Sequence, residues 1–304
     1  MNPPPILYKY IKLDFALPTL RDPKLKLTPP VEFDDPFEFL ITLDRRRSIR
    51  KVGRLLDRNS SIKQLHVLAQ QIGFSGDLKA FRRHYKANRE KTVREAVQVS
   101  EQQMRDYLLR QFLPDFSKTY AVLCLTAARD SNLMWAHYAS GHTGIALGIA
   151  IPSNWKVYNV EYRKDRMAIE LTGSPDEGPR FDFSLALLRR KGEDWAYEHE
   201  WRALSQLKHL EQVTIGGKTL YFAPLKPELI KEVILGWRFP SEFIADIKRI
   251  CTENFPTAQL LKAAPHETEF KMAIGNFQDE ELNAASSALT IPPQDFSGAS
   301  PRYP

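Results

Sequence analysis

The residues best suited to catalysis lie in the stretch 195–202, which reads WAYEHEWR. Side chains two positions apart share one face of a strand, so the spacing predicts that Glu198 and Glu200 lie side by side and that Arg202 continues the same face. Neighbouring carboxylates raise each other's pKa and are costly unless they are exposed, paired or used in chemistry. The pair therefore predicts either an acid–base site or a salt bridge with Arg202.

A second acidic stretch surrounds a proline and reads FDDPFE at 33–38. Its three carboxylates, Asp34, Asp35 and Glu38, suit a hard cation or a sugar hydroxyl. The stretch suits a turn equally well, because aspartate before proline is favoured there. In that interpretation Phe33 and Phe37 anchor the turn to the core.

The N-terminal sequence LYKY alternates in the manner of a strand. Alternation predicts Tyr8 and Tyr10 on one face of this strand and Lys9 on the other. Taken alone, the pattern is equally that of an ordinary strand with an exposed lysine.

The stretch 133–144 reads LMWAHYASGHTG and stands directly ahead of a predicted strand. If 131–140 forms a short helix, Trp135 and Tyr138 lie on one side of it, with His137 beside them. Aromatic faces with a histidine at such a junction suit a flat ring such as nicotinamide or a base. The alternative is that the histidine is an ordinary core or surface residue.

Short apolar runs divided by turn residues predict the strands of the chain. An amphipathic helix is predicted over 241–251. The order of elements favours an α+β fold with one mixed or split β-sheet, and the chain has neither a GxGxxG sequence nor a Walker loop. The predicted strands lie at 120–127, 144–151, 157–162, 201–207, 232–236, 258–264 and 269–274.

The basic residues are concentrated in one segment. Residues 44–110 contain 17 Lys or Arg against 7 Asp or Glu, whereas the rest of the chain contains 26 basic and 30 acidic residues. Such a segment attracts the phosphates of nucleic acid, nucleotides or a membrane surface, unless it is simply a solvated helix face. We expect it to contact a nucleic-acid or protein acceptor.

This basic segment also has helical spacing. Apolar residues from Val93 to Phe112 predict a helix that ends at Pro114, and an earlier helix is predicted over 61–72. The predicted organisation is an N-terminal part of the β domain at 1–43, a basic helical insertion at 44–116, the remainder of the β domain at 117–275 and a disordered tail at 276–304.

The composition places the chain among globular proteins. With 304 residues, 43% of them apolar and 26% charged, it can bury one substantial core or two modest ones. No apolar run approaches the roughly 18 residues of a membrane-spanning helix, and the proline-rich N-terminus lacks a secretory pattern. Cys124 and Cys251 sit in apolar stretches, as buried thiols do. A soluble, cytoplasmic protein without a membrane partner is expected.

Together the four stretches resemble a bacterial family of unknown function whose members share four motifs in this order. The motifs are Leu-Tyr-Lys-Tyr, (Asn/Asp)-Asp-Pro-Phe-Glu, Trp-x-x-Tyr-Ala-x-x-His-x-Gly and Tyr-Glu-x-Glu-Trp-Arg. Their counterparts here are 7–10, 34–38, 135–144 and 197–202, within a resemblance that covers about 8–275.

A second resemblance concerns mechanism. Glu198 and Glu200 resemble the Glu-x-Glu motif at the strand start of many ADP-ribosyltransferases, a glycosyltransferase class whose split β-sheet binds NAD without a Rossmann loop. The resemblance implies that NAD is the co-substrate, with no metal. It also implies that Glu200 stabilises the oxocarbenium-like ribose and that Glu198 orients or deprotonates the acceptor. The binding residues so implied are Tyr8, Lys9 and Tyr10 for pyrophosphate or ribose, Trp135 and Tyr138 for nicotinamide, and Asp35, Glu38, His137 and Arg202 around them.

Two other functions fit the same residues. One is a metal-dependent nuclease or phosphodiesterase that holds a hard cation with carboxylates and nucleic acid with the segment 44–110. The other is a non-enzymatic nucleic-acid-binding or regulatory module that needs only the basic segment. The carboxylates of the first alternative are Asp34, Asp35, Glu38, Glu198 and Glu200.

Overall fold

The computed structural model describes residues 3–57, 69–169 and 181–277. The fold combines helices with a large mixed β-sheet, which confirms the mixed sheet predicted from the sequence. The strands are β1 (Ile6–Ile11), β2 (Lys24–Leu27), β3 (Ile41–Leu43), β4 (Tyr120–Thr126), β5 (Ile145–Ala150), β6 (Val157–Asn159), β7 (Glu161–Arg163), β8 (Met167–Ile169), β9 (Arg190–Gly192), β10 (Glu200–Gln206), β11 (Glu211–Ile215), β12 (Lys218–Pro224), β13 (Ile230–Leu235), β14 (Gln259–Pro265) and β15 (Met272–Asn276). The α-helices are α1 (Leu13–Arg21), α2 (Arg45–Asp57), α3 (Leu78–Ala87), α4 (Arg89–Tyr107), α5 (Leu113–Ser117), α6 (Asn132–Tyr138), α7 (Phe181–Leu188) and α8 (Ile244–Asn254).

The large sheet has the strand order β15-β14-β13-β5-β1-β4-β10-β6. Strands β13 and β14 are parallel, and the other neighbours in this sheet are antiparallel. Three smaller sheets accompany it in the described structure. One has three strands in the order β11-β12-β2, and the other two are the pairs β3-β8 and β7-β9. The predicted strand at 157–162 is therefore two short strands, β6 and β7, which belong to different ladders.

The sheet is divided near its centre. Strand β1 pairs with β5 along its whole length, whereas its ladder with β4 consists of the single pair Tyr8 and Thr126. Strand β4 pairs fully with β10 on its other side. The two halves of the sheet therefore separate beyond this pair, and a gap opens between β1 and β4.

Apolar side chains cover both faces of the sheet, which explains why its central strands read as nearly continuous apolar runs. On one face Leu7, Leu147 and Leu235 pack in a core that also contains residues of α1 and α8. On the other face, β1 packs against α6: the rings of Tyr10 and Trp135 meet edge to face with centroids 5.0 Å apart. This second face carries the candidate site.

Between β3 and β4 the described chain is largely helical. Helices α2, α3 and α4 share an apolar core that includes Ile49, Phe81 and Val93. The helix predicted over 61–72 lies mostly outside the described residues, as does the predicted tail from 278 onwards. In the described ranges, no helix combines the length and the apolar character that a membrane crossing requires.

The prediction that a helix ends at Pro114 is wrong. A π-helical turn, Leu108–Phe112, follows α4, and α5 continues from it with the proline in its first turn. Proline is tolerated there because it lies at the start of α5, where the hydrogen-bond register changes from the π-helical turn to the α-helix.

Candidate functional site at the gap in the large sheet

A cavity of about 230 Å³ lies where β1 and β4 separate. Its walls come from β1, β4, β9, β10, α6 and the proline-centred acidic stretch, which are far apart in the chain. The structure thus brings together nine residues that the sequence suggested as site residues. They are Tyr8, Lys9, Tyr10, Asp35, Glu38, Tyr138, Glu198, Glu200 and Arg202.

Glu198 and Glu200 reach the cavity from two different elements. Glu198 ends a 3-10 helix, Glu193–Glu198, and Glu200 begins β10. Between them His199 has a left-handed backbone with φ of 42°, which is uncommon for a residue other than glycine. Both carboxylates line the cavity, as predicted. The prediction that strand alternation places Glu198 there is wrong, because the turn at His199 orients this residue.

Arg202 is the centre of a buried ion network and is only 1% exposed. Its Nε and Nη2 donate to the two carboxylate oxygens of Glu200 at 2.9 and 2.8 Å. Its Nη1 and Nη2 donate to those of Glu38 at 2.8 and 3.0 Å. Nη1 also donates to the carbonyl oxygen of Leu188 at 2.7 Å. Every N–H group of the guanidinium therefore has an acceptor, which fixes both carboxylates.

Lys191 on β9 is the second cation of the network, and sequence reasoning missed it. Its Nζ lies 2.6 Å from a carboxylate oxygen of Glu198, 3.4 Å from one of Glu200 and 3.5 Å from one of Glu38. The Trp195 ring centroid is 4.7 Å from the same atom. Burial would lower the pKa of Lys191, but the three carboxylates raise it, so the ammonium stays charged. Lys191 thus lies between the three carboxylates and balances part of their negative charge.

The two acids of the pair have opposite electrostatic environments. Burial would raise the pKa of Glu200, but the Arg202 guanidinium lowers it to about 2. Burial raises the pKa of Glu198, and the nearby Lys191 does not cancel this effect. The Tyr138 hydroxyl donates to Glu198 at 2.5 Å. Such a pair offers one fixed anion and one group that can accept and release a proton.

Lys9 lies at the gap in the sheet. Its Nζ donates to the backbone carbonyl of Cys124 on β4 at 3.0 Å. This hydrogen bond crosses the gap between β1 and β4. Burial lowers the pKa of Lys9. The hydroxyl of Tyr8 donates to Glu232 at 3.0 Å, and that of Tyr10 donates to a backbone carbonyl at 2.9 Å. Lys9 is therefore a lining residue of the cavity and not an ordinary exposed lysine.

The proline-centred acidic stretch forms a turn, as one interpretation predicted. The backbone N–H of Phe37 donates to the Asp35 carboxylate at 2.9 Å, and that of Glu38 donates to the Asp35 carbonyl at 3.2 Å. The predicted anchor is wrong in part, because Phe37 is 61% exposed. Phe39 takes its place and packs against Phe33, with ring centroids 5.9 Å apart.

Trp135 and His137 do not line the cavity, contrary to the predicted ligand contacts. Trp135 is fully buried, and its indole N–H donates to the Arg129 carbonyl at 2.9 Å, because α6 turns this side into the core. His137 is on the exposed side of α6. Tyr138 lines the cavity as predicted, and Trp195 joins it there in place of Trp135. Trp195 begins the WAYEHEWR stretch, so its position beside the paired acids was the sequence feature that could have identified it as a site residue.

The cavity has more acidic than basic side chains. Its cations are Lys9, Lys191 and Arg202. Its carboxylates are Glu32, Asp34, Asp35, Glu38, Glu198 and Glu200. Within the part of the chain that the structure describes, no group of three or more His, Cys, Asp or Glu residues is arranged to hold a metal ion. A scan against protein-family models and searches of curated proteins and of solved structures found no match for this chain.

Proposed function

We propose that this chain cleaves the nicotinamide glycosidic bond of NAD, as an ADP-ribosyltransferase or NAD glycohydrolase. The observation that carries the proposal is the carboxylate pair Glu198 and Glu200, whose pKa values are shifted in opposite directions at one acidic cavity. Cleavage of this bond develops positive charge on the ribose, and fixed carboxylates stabilise that charge. In this proposal the gap between β1 and β4 corresponds to the split sheet of ADP-ribosyltransferases.

The two acids take different roles in the reaction. Glu200 is ionised and held by Arg202, so it stabilises the oxocarbenium-like ribose. The bonding electron pair leaves with the nicotinamide nitrogen. Glu198 accepts the proton of the attacking water or acceptor group, which its raised pKa favours. Tyr138 and Trp195 are the aromatic walls available to the nicotinamide ring.

The size of the cavity suits part of NAD. About 230 Å³ lies below the roughly 300–1,000 Å³ of sites that enclose a whole small molecule. The cationic nicotinamide with its ribose is the part that an acidic cavity favours. The phosphates would lie at the mouth, away from the carboxylates.

The metal-dependent nuclease is the weaker alternative, for a geometric reason. Its carboxylates Glu38, Glu198 and Glu200 already bind Lys191 and Arg202 in the described structure. A metal ion would have to displace Lys191, and phosphates would otherwise meet an excess of negative charge.

The test is the release of nicotinamide from NAD by the wild type, Glu200→Gln, Glu198→Gln and Glu193→Gln. Glu193 is an exposed carboxylate on the same 3-10 helix and is the matched control. We expect binding and turnover by the wild type and the control. Glu200→Gln should lose roughly 100-fold or more in rate, the scale of losing one electrostatic contact to the transition state. Mass spectrometry for ADP-ribose on added protein, RNA or DNA identifies the acceptor.

Melting temperatures of all four proteins separate loss of chemistry from loss of folding. A wild type that neither binds NAD nor releases nicotinamide, with any of these acceptors, contradicts the proposal. So does a folded Glu200→Gln variant with the wild-type rate.

A further inference from the structure

Helix α2 presents one strongly basic face to solvent. Arg46, Arg50 and Arg54 are exposed and follow each other at four-residue steps, which places them on one face about 6 Å apart along the axis. None of the three forms an ion pair with a carboxylate of the described residues. The opposite side of the helix is occupied: Ile49 and Val52 pack in the core shared with α3 and α4.

Helix α3 repeats this arrangement. Lys79, Arg82, Arg83 and Lys86 are exposed, and their spacing puts them on one face. Phe81 is buried on the other side. No acidic residue occurs within the helix, and none of the four cations is ion-paired to a described carboxylate.

The two basic helices belong to one packed unit. Tyr85 of α3 donates to Asp57 at the end of α2 at 2.7 Å, and Arg89 of α4 donates to the same carboxylate at 2.6 Å. Three of the four acidic residues of α4 are matched to cations outside the two faces: Glu90 binds Arg94, Glu95 binds Lys91 and Glu101 binds Arg45. The outer faces of α2 and α3 therefore carry seven exposed cations that no described carboxylate neutralises.

We infer that the outer faces of α2 and α3 bind the phosphate backbone of double-stranded nucleic acid. Exposed cations at regular spacing complement a row of phosphates. Single-strand binding uses exposed aromatic rings for base stacking, and these faces offer none: Phe81 is buried and Tyr85 is tied to Asp57. The binding is sequence-independent, because arginine and lysine contacts to phosphates carry no base information.

The test measures fluorescence anisotropy of a labelled 20-base-pair duplex without NAD, at salt concentrations from 50 to 200 mM. If the exposed cations of both faces contact phosphates, wild-type affinity falls roughly 1,000-fold or more over this range. The triple variant Arg46→Gln/Arg50→Gln/Arg54→Gln should reduce the magnitude of the slope of log affinity against log salt by about 3. A second variant changes three cations of α3 in the same way: Arg82→Gln/Arg83→Gln/Lys86→Gln.

The matched control, Lys91→Gln/Arg94→Gln/Arg249→Gln, removes the same charge from ion-paired positions. It should retain the wild-type slope. The inference is overturned if the duplex does not bind, if the variants and the control weaken equally, or if only an unstructured single strand or a vesicle with anionic lipid binds. Because no NAD is present, failure here leaves the proposed catalysis untouched.

Discussion

Replacement of Arg202 by methionine measures what the buried ion network contributes to folding. Methionine keeps an apolar stem but removes a guanidinium that binds Glu38 and Glu200 and is only 1% exposed. Loss of one partner of a buried pair leaves uncompensated charge and costs about 3–5 kcal/mol. The lowering of the pKa of Glu200 from 4.5 to about 2 corresponds to about 3 kcal/mol, which is the net result of burial opposed by both Arg202 and Lys191.

The cost must depend on pH. In the wild type Glu200 has a lowered folded pKa, so its contribution is complete above pH 4.5 and is lost as the pH falls toward 2. In Arg202→Met the guanidinium no longer opposes burial and the more distant Lys191 alone does, so we expect the pKa of Glu200 to rise above its unfolded value. The variant is then least stable at neutral pH and recovers as acid protonates the carboxylate.

Urea unfolding followed by tryptophan fluorescence at about pH 7.5 and about pH 5.0 tests this reasoning. We expect the free energy of unfolding to fall by about 3–5 kcal/mol at the higher pH and by clearly less at the lower pH. Arg249→Met, which removes an exposed arginine paired within α8, should match the wild type at both pH values. A small loss for Arg202→Met, or an equal loss at both pH values, would refute the electrostatic account.

Three further outcomes follow from the same geometry. Trp135→Ala should lower the free energy of unfolding by about 3–5 kcal/mol in urea titrations, because the fully buried ring leaves a cavity, whereas the exposed His137→Ala should match the wild type. Tyr138→Phe removes a hydrogen bond that favours the ionised form of Glu198, so the pKa of Glu198 rises further. The acidic limb of the pH–rate profile for nicotinamide release should then move to higher pH. An unmoved limb would exclude Glu198 as the base. The Cys251 thiol, which is 7% exposed and whose pKa burial raises, should resist a thiol reagent at about pH 8 until the protein is unfolded. Rapid labelling of Cys251 in the native protein would contradict this placement.

Local patterns predicted the elements well where one physical period dominates. The strands β4, β5, β10 and β13 appear close to their predicted bounds, since apolar and β-branched runs of this length pack in a sheet. Periodicity failed at 157–162, where two short strands enter different ladders. It also failed at Pro114, because a proline in the first turn of a helix resembles a proline that ends one.

The site shows the same division. Spacing in the sequence indicated that Glu198, Glu200 and Arg202 meet, and the acidic turn supplied Glu38 as a candidate. The sequence gave no sign of Lys191, whose ammonium reaches all three carboxylates only because β9, paired with β7, lies in the wall of the cavity. Helical spacing predicted that Trp135 and Tyr138 lie on one side of α6. It could not predict that Trp135 would be buried in the core while Tyr138 lines the cavity.

By itself, the sequence determined the main strands of the large sheet, the concentration of positive charge in 44–110 and the identity of the paired acids. These properties depend on residue type and on neighbours close in the chain. Only the tertiary structure decided that the sheet opens between β1 and β4, that Lys191 and Arg202 neutralise the carboxylates, and that Glu198 and Glu200 differ in pKa. Those properties depend on burial and on charges brought together from distant segments, because the electrostatic energy of a group depends on its three-dimensional surroundings.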